Sequence, residues 1–370
     1  MPEDAKRANP YGLAALARPG ALAGLAAIGV VVLCIAAAFA YVAGWLSPAR
    51  LTPDRMIDTF EQVNGPHPGF RRNHAKGVCF AGYFDSNGQG ARLSKAAVFQ
   101  QGRTPVMGRF ALAGGMPMMA DGPKAVRSMA VSFRPPGGEE WRTGMNDIPV
   151  FPVNTAQAFY EQLVAARPDP ATGHPNPAAM KAFLAAHPAS ARAIKAIGAS
   201  AFSSGFADAD YNGLNAFRFI DAAGKTTPVR WSMVATDPMA VASGPPPAGL
   251  DTNYLFDALA ARVGQSALHW RLVVTIGQPG DPTNDATIAW PPERAHIEVG
   301  VLTIDRIEPE AAGNCRDINF DPLVLPAGIA PSDDPLLSAR SAAYSESFTR
   351  RAGETKPPSA VRADAASKAG

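Results

Sequence analysis

An uninterrupted apolar run near the start of the chain constrains its folding more than any other feature. No residue from Pro19 to Ala49 is charged, and Gly20–Leu46 reads GALAGLAAIGVVVLCIAAAFAYVAGWL. That exceeds the ~20 apolar residues needed to carry a helix across a bilayer. Lys6, Arg7 and Arg18 precede it, so the positive-inside rule puts residues 1–19 in the cytoplasm and everything after about residue 50 across the membrane. Tyr41 and Trp45 fall where interfacial aromatics sit. A cleavable signal peptide is the alternative, because Ala38-Phe39-Ala40 has the small-x-small form of a cleavage site, although the run is longer than the ~7–15-residue core of such peptides. Both readings export the rest of the chain.

The exported part is rich enough in apolar residues to bury a core. The whole chain has 370 residues, 47% apolar and 18% charged, with a net charge of +2 and so no basic excess to attract nucleic acid. Its 34 glycines and 35 prolines predict many turns and argue against a helical bundle. Three cysteines, Cys34, Cys79 and Cys315, make neither a disulfide framework nor a four-thiolate zinc site. Cys79 and Cys315 could pair in an oxidising compartment, but nothing in their spacing sets the distance between them. Residues 47–60 read as a linker entering a first helical turn, residues 55–353 as the folded unit, and residues 354–370 as a disordered tail. Strand patterns occupy residues 78–84, 106–112, 126–133, 214–220, 229–235, 268–276 and 297–307, with a hairpin loop at 221–225. Helical patterns fall at 155–167, 177–186, 191–197 and 254–263. Strands in two groups with helices between them predict an α+β domain built on an antiparallel barrel.

Four stretches, in order, carry a resemblance. They are Arg71-Arg72-Asn73-His74-Ala75-Lys76-Gly77; Thr104-Pro105 through Arg109-Phe110; Gly144-Met145-Asn146-Asp147 with Phe159 downstream; and Asp321-Pro322 through Arg340-Ser341-Ala342-Ala343-Tyr344 and Arg351. Together they resemble the haem catalase family, and the short length points to its catalase-related peroxidase subfamily. The resemblance implies an eight-stranded antiparallel β-barrel with inserted helices, here preceded by one transmembrane helix, and a haem, of b type by family default. It implies that His74 is the distal histidine, Asn146 the distal asparagine and Phe159 a distal-side phenylalanine. Tyr344 would be the axial ligand of the haem iron, with Arg340 beside it, and Arg71, Arg109 and Arg351 would pair with the haem propionates.

Heterolytic cleavage of a peroxide needs a metal, a base that moves a proton between the oxygens, and a polar group that aligns them. Haem, His74 and Asn146 match these three roles. A tyrosine ligates iron as phenolate, and a guanidinium four residues earlier shares its helical face. The resemblance therefore implies reduction of hydrogen peroxide or organic hydroperoxides by an organic electron donor, in a domain held in the periplasm by a bacterial inner-membrane anchor. Release into the periplasm after signal cleavage is the alternative, and a homo-oligomer stays open. A small true catalase and a non-catalytic haem- or lipid-binding barrel are the rival functions. The chain departs from the family where Asn73 precedes His74 and where Ala111 replaces the serine of the Arg-Phe-Ser segment. That serine hydroxyl bonds the second nitrogen of the distal histidine, so its loss would retune the base and disfavour dismutation.

Overall fold

The apolar run forms one helix, α1 (Pro19–Val42), whose 24 residues span about 36 Å at ~1.5 Å each. It is long and apolar enough to cross a membrane, a test that an N-terminal signal sequence also meets. Its large side chains lie open within their own unit, Leu33 and Phe39 at 70% and 73%. This computed structural model of the chain describes residues 19–46, 50–242 and 252–362, in two units that divide between Thr52 and Pro53. The expected cytoplasmic segment, Pro19 apart, lies outside the described residues.

In the second unit, the chain runs α2 (Pro53–Asn64), β1 (Gly77–Ser86), β2 (Gly102–Leu112), β3 (Arg127–Phe133), β4 (Trp141–Asn146), α3 (Ala156–Ala165), α4 (Pro177–Ala186), α5 (Pro188–Ala199), β5 (Tyr211–Asn212), β6 (Phe217–Ile220), β7 (Thr226–Ala235), α6 (Tyr254–Gln265), β8 (Leu268–Ile276), β9 (His296–Glu308), β10 (Ile329–Pro331) and α7 (Pro335–Ala352). The strands pair antiparallel in the order β4-β3-β2-β1-β9-β8-β7, and β5 joins β7 back to β4. Since β5 and β6 follow one another along the same edge of β7, they act as one interrupted strand, and the ring closes with eight. Closure removes the open edges through which sheets aggregate.

Alternation along the strands sends Phe80, Phe110, Phe133, Trp141, Trp231 and Trp270 into the lumen, where each is at most 2% exposed. Trp141 meets Trp231 edge-on at 5.1 Å and stacks on Phe133 at 4.7 Å. These side chains fill the lumen of the eight-stranded barrel, so a large ligand must lie against its outside.

All seven expected strands are present, and Asp221–Lys225 turns between β6 and β7 through Gly224 at φ +84°. Three short strands escaped the sequence pattern. β4 is six residues containing Arg142 and Gly144, and β5 and β10 have two and three. The linker expectation also needs correction, because Pro53–Asn64 is a three-turn helix that buries Met56, Ile57 and Phe60. So does the disordered tail, since residues 354–362 pack on the unit. Glu354 binds Arg72 and the Gly69 amide, Pro357 accepts from Arg316, and Val361 is 1% exposed. Residues 363–370 lie outside the described residues. Cys79 on β1 and Cys315 form a disulfide that closes a loop of 236 residues.

Candidate active site

The outward face of β2, β3 and β4 is a sheet wall with unusually small side chains. Strand register sets Ala111, Ser128 and Asn146 in one row across the three strands, and Arg109, Ala130 and Gly144 in the next. Alanine and glycine leave the middle of this wall flat. Helices α2, α3 and α7 stand over it, and between wall and helices lies a cavity with about 1250 Å³ of atom-free space, part of it open to solvent. All eight residues singled out in the sequence line it: Arg71, His74, Arg109, Asn146, Phe159, Arg340, Tyr344 and Arg351.

His74 sits in the turn before β1 at φ +53°, a left-handed conformation that is strained for a residue with a side chain. The turn is held from both sides. Asn73 Oδ1 accepts from the amides of His74 and Gly114, and Arg109 donates to the carbonyls of His74 and Ala75 at 2.7 and 3.1 Å. Asn73 is thus a fastener for the histidine loop. The histidine is half-buried, open only toward the cavity it lines, and desolvation together with Arg109, Arg340 and Arg71 lowers its pKa from 6.5 to about 3. It is neutral at any ordinary pH.

The hydroxyl expected to be lost is present on the neighbouring strand. Ser128 Oγ lies 2.9 Å from His74 Nδ1 and donates to Asn146 Oδ1 at 2.5 Å. Ser128 is the direct partner of Ala111 in the β2–β3 ladder, so the serine missing from one strand has a counterpart across the pair. Sequence reasoning missed it because the signal lies in register, which is set by pairing.

On the helix wall, Tyr344 lines the cavity and its hydroxyl makes no hydrogen bond among the described residues. The Arg340 guanidinium carbon stands 5.9 Å from the centre of the Tyr344 ring, as one helical turn dictates, and its Nη1 donates to Asn215 Oδ1. Asn215 in turn donates to Asp334, the N-cap of α7. Phe159 packs 5.8 Å from Phe60 and 5.9 Å from Phe151, joining α2 and α3 over the cavity.

The remaining arginines form a cationic end. Arg109 is saturated by Glu310 at 2.9 Å and by the two carbonyls already named. For Glu310, burial alone would raise the carboxyl, but Arg109 and Arg71 outweigh it and hold it below its ordinary value. Arg71 is half-buried with its Nε enclosed and unbonded, and desolvation, then Arg351 and Arg109, pull its pKa well below normal. Burial also lowers Arg351, to about 10. Among the described residues Glu310 is the one carboxylate bonded to any of these three guanidiniums, which leaves a deficit of negative charge.

A planar, largely apolar group with acidic substituents on one edge fits these features: a flat floor, an unbonded phenol, and Arg71 and Arg351 with charge to spare. Haem has that form, and Arg71 and Arg351 are better placed than the saturated Arg109 to meet its propionates.

The catalase family model matches residues 43–357. The chain belongs to the catalase family. It is therefore an oxidoreductase acting on peroxide, on the catalase-related peroxidase branch. Among proteins similar to this catalase-family chain, a "Catalase-related peroxidase" of Synechococcus elongatus is 36% identical over 301 residues, covering 81% of this chain and 89% of the relative. Another "Catalase-related peroxidase", from Mycolicibacterium paratuberculosis, is 33% identical and covers 82% and 96%. A solved bacterial catalase superposes with a TM-score of 0.70 at 22% identity, covering 78% of this chain and 58% of that one. The catalase barrel is thus shared with longer proteins, while the short relatives match almost end to end.

Proposed function

We propose that this protein is a haem-dependent peroxidase that reduces hydrogen peroxide or organic hydroperoxides at the expense of an organic donor, with haem b ligated by Tyr344. The observation that carries the reading is that a neutral base with a bonded amide neighbour, His74 and Asn146, and an unbonded phenol, Tyr344, line one flat cavity from its two walls. Bound there, haem would supply redox chemistry, giving the peroxide two electrons that the organic donor then replaces.

The chain's own residues handle protons and position. His74, neutral and aimed into the cavity, takes a proton from the peroxide and passes it to the departing oxygen, which leaves as water or as an alcohol. The Asn146 amide nitrogen donates to that oxygen and aligns it. Tyr344 would hold the iron through its phenol oxygen, with the Arg340 guanidinium one helical turn away beside its ring. Arg71 and Arg351 hold the acidic edge of the ring system. Phe159, Phe60 and Phe151 keep water from its face.

For localisation, α1 supports a single-pass anchor in a bacterial inner membrane, and the Cys79–Cys315 disulfide supports an oxidising compartment, the periplasm, for the second unit. Signal cleavage would give the same compartment.

One observation favours a second reading. Ser128 restores the bond to the distal histidine whose loss would have argued against dismutation, so oxygen evolution from hydrogen peroxide alone belongs among the expected activities. The deciding measurement is an absorption spectrum of the full chain produced with haem supply, beside Tyr344→Phe, followed by oxygen-electrode and donor-oxidation assays. A high-spin ferric spectrum that shifts in Tyr344→Phe is expected. A chain that takes up no haem would refute the proposal.

A further inference from the structure

Ser128 is the middle residue of the row Ala111, Ser128 and Asn146, and its single hydroxyl touches two site residues at once. We infer that Ser128 is a positioning residue that sets the tautomer of His74 and the orientation of Asn146 together, from a strand position that a serine at 111 could not duplicate. The inference rests on the peroxidase reading above only for its kinetic consequence.

The argument is one of donor and acceptor counting. A serine hydroxyl has one proton, an amide oxygen only accepts, and a neutral imidazole has one N–H and one lone pair. With the Ser128 proton committed to Asn146 Oδ1, the hydroxyl can only accept from His74, so Nδ1 carries the hydrogen and Nε2 keeps its lone pair. With its oxygen engaged, Asn146 has its amide nitrogen free for the cavity. Reversing the chain reverses everything. If Asn146 were flipped to donate to Ser128, the hydroxyl would give its proton to Nδ1, and Nε2–H could no longer act as a base. One hydroxyl therefore couples a competent base to a competent donor.

Strand geometry makes this coupling specific to position 128. Neighbouring strands lie ~4.8 Å apart, so a hydroxyl at 111 would be two strands, roughly 10 Å, from Asn146. It could not give its proton to the amide oxygen. Moving the hydroxyl back to β2 therefore removes the bond that fixes the direction of the hydrogen-bond chain.

The test uses the full chain as parent, Ser128→Ala, and the exchange variant Ser128→Ala/Ala111→Ser. Imidazole 15N shifts of His74, recorded with and without diamagnetic zinc protoporphyrin, read the tautomer directly. Cyanide association with the ferric haem protein, followed from pH 4 to 8, reads whether Nε2 can accept the ligand's proton. The parent is expected to hold its hydrogen on Nδ1, and Ser128→Ala to populate both tautomers and bind cyanide about tenfold more slowly, the worth of one ordinary hydrogen bond. The exchange variant is expected to keep both tautomers and the slow rate of Ser128→Ala, because a hydroxyl at 111 has no Asn146 oxygen to hold its proton and can donate to Nδ1 as readily as accept from it. A parent with its hydrogen on Nε2, a tautomer unmoved by Ser128→Ala, or an exchange variant that regains the parent's tautomer and rate would each overturn the inference. If the parent takes up no haem, the peroxidase proposal fails, and the 15N measurement still decides the role of Ser128.

Discussion

Replacing His74 with a residue that cannot titrate should change how the fold responds to acid. The imidazole titrates at 6.5 when exposed and at about 3 in the folded chain, lowered first by burial and then by Arg109, Arg340 and Arg71. Between those values the unfolded chain binds a proton that the native state refuses, so acid favours unfolding. The stabilisation is complete above pH 6.5 and is lost progressively as pH falls toward 3. At pH 5 the unfolded histidine is almost fully protonated and the native one is not, which costs the native state about 2 kcal/mol relative to pH 7. Asp147 runs the other way. Burial raises its pKa to about 6 against the opposing bonds from Arg127, so the native state takes up a proton there before the unfolded chain does, and stability is gained as pH falls through 6. The parent's own pH profile mixes both groups, and comparison with His74→Gln isolates one. Denaturant unfolding of the haem-free full chain in detergent should show the parent losing about 2 kcal/mol more than His74→Gln between pH 7 and pH 5. Equal losses in the two proteins would refute the picture of a histidine held neutral by burial among arginines.

Two further outcomes follow from buried pairs and covalent links. Glu310→Gln leaves Arg109 with no carboxylate in a site where both side chains are under a tenth exposed, and should destabilise the unit by about 3–5 kcal/mol, read from the denaturation midpoint. Because Arg109 also holds the His74 and Ala75 carbonyls, the same variant should loosen the histidine turn, visible as faster amide exchange at Ala75. Cys79→Ser/Cys315→Ser removes a cross-link over 236 residues and should lower stability by about 2–5 kcal/mol, and dithiothreitol should do the same to the parent. A melting temperature unchanged by reductant would show that the two cysteines do not pair.

The site was more legible in the sequence than the strands around it. Arg340 and Tyr344 could be paired from their spacing alone, because an α-helix returns to the same face every fourth residue. His74 and Asn146 were found because each sits in a distinctive local motif. Glu310 and Ser128 were not, and Asn73 stood out only as a departure from the family pattern, although each touches a residue that was found. Glu310 is 201 residues from the Arg109 it neutralises, and no local pattern marks an acid as the partner of a distant buried base. Likewise β4 carries Asn146 but is too short, and too interrupted by Arg142 and Gly144, to show an apolar alternation of its own.

By itself, the sequence determined the apolar helix, the barrel's seven longer strands, the family and the eight residues that line its cavity, since each depends on composition, periodicity or a contiguous motif. Only the tertiary structure decided how those residues are wired. Strand register opposed Ala111 to Ser128 and Ser128 to Asn146, moving a hydroxyl from one strand to the next without leaving the histidine unbonded. Packing of residues 354–362 brought Glu354 onto Arg72, giving a stretch without periodicity a fixed place. Hydrogen bonds are short and directional, so which donor meets which acceptor depends on where separate strands come to rest, and chain order does not record that.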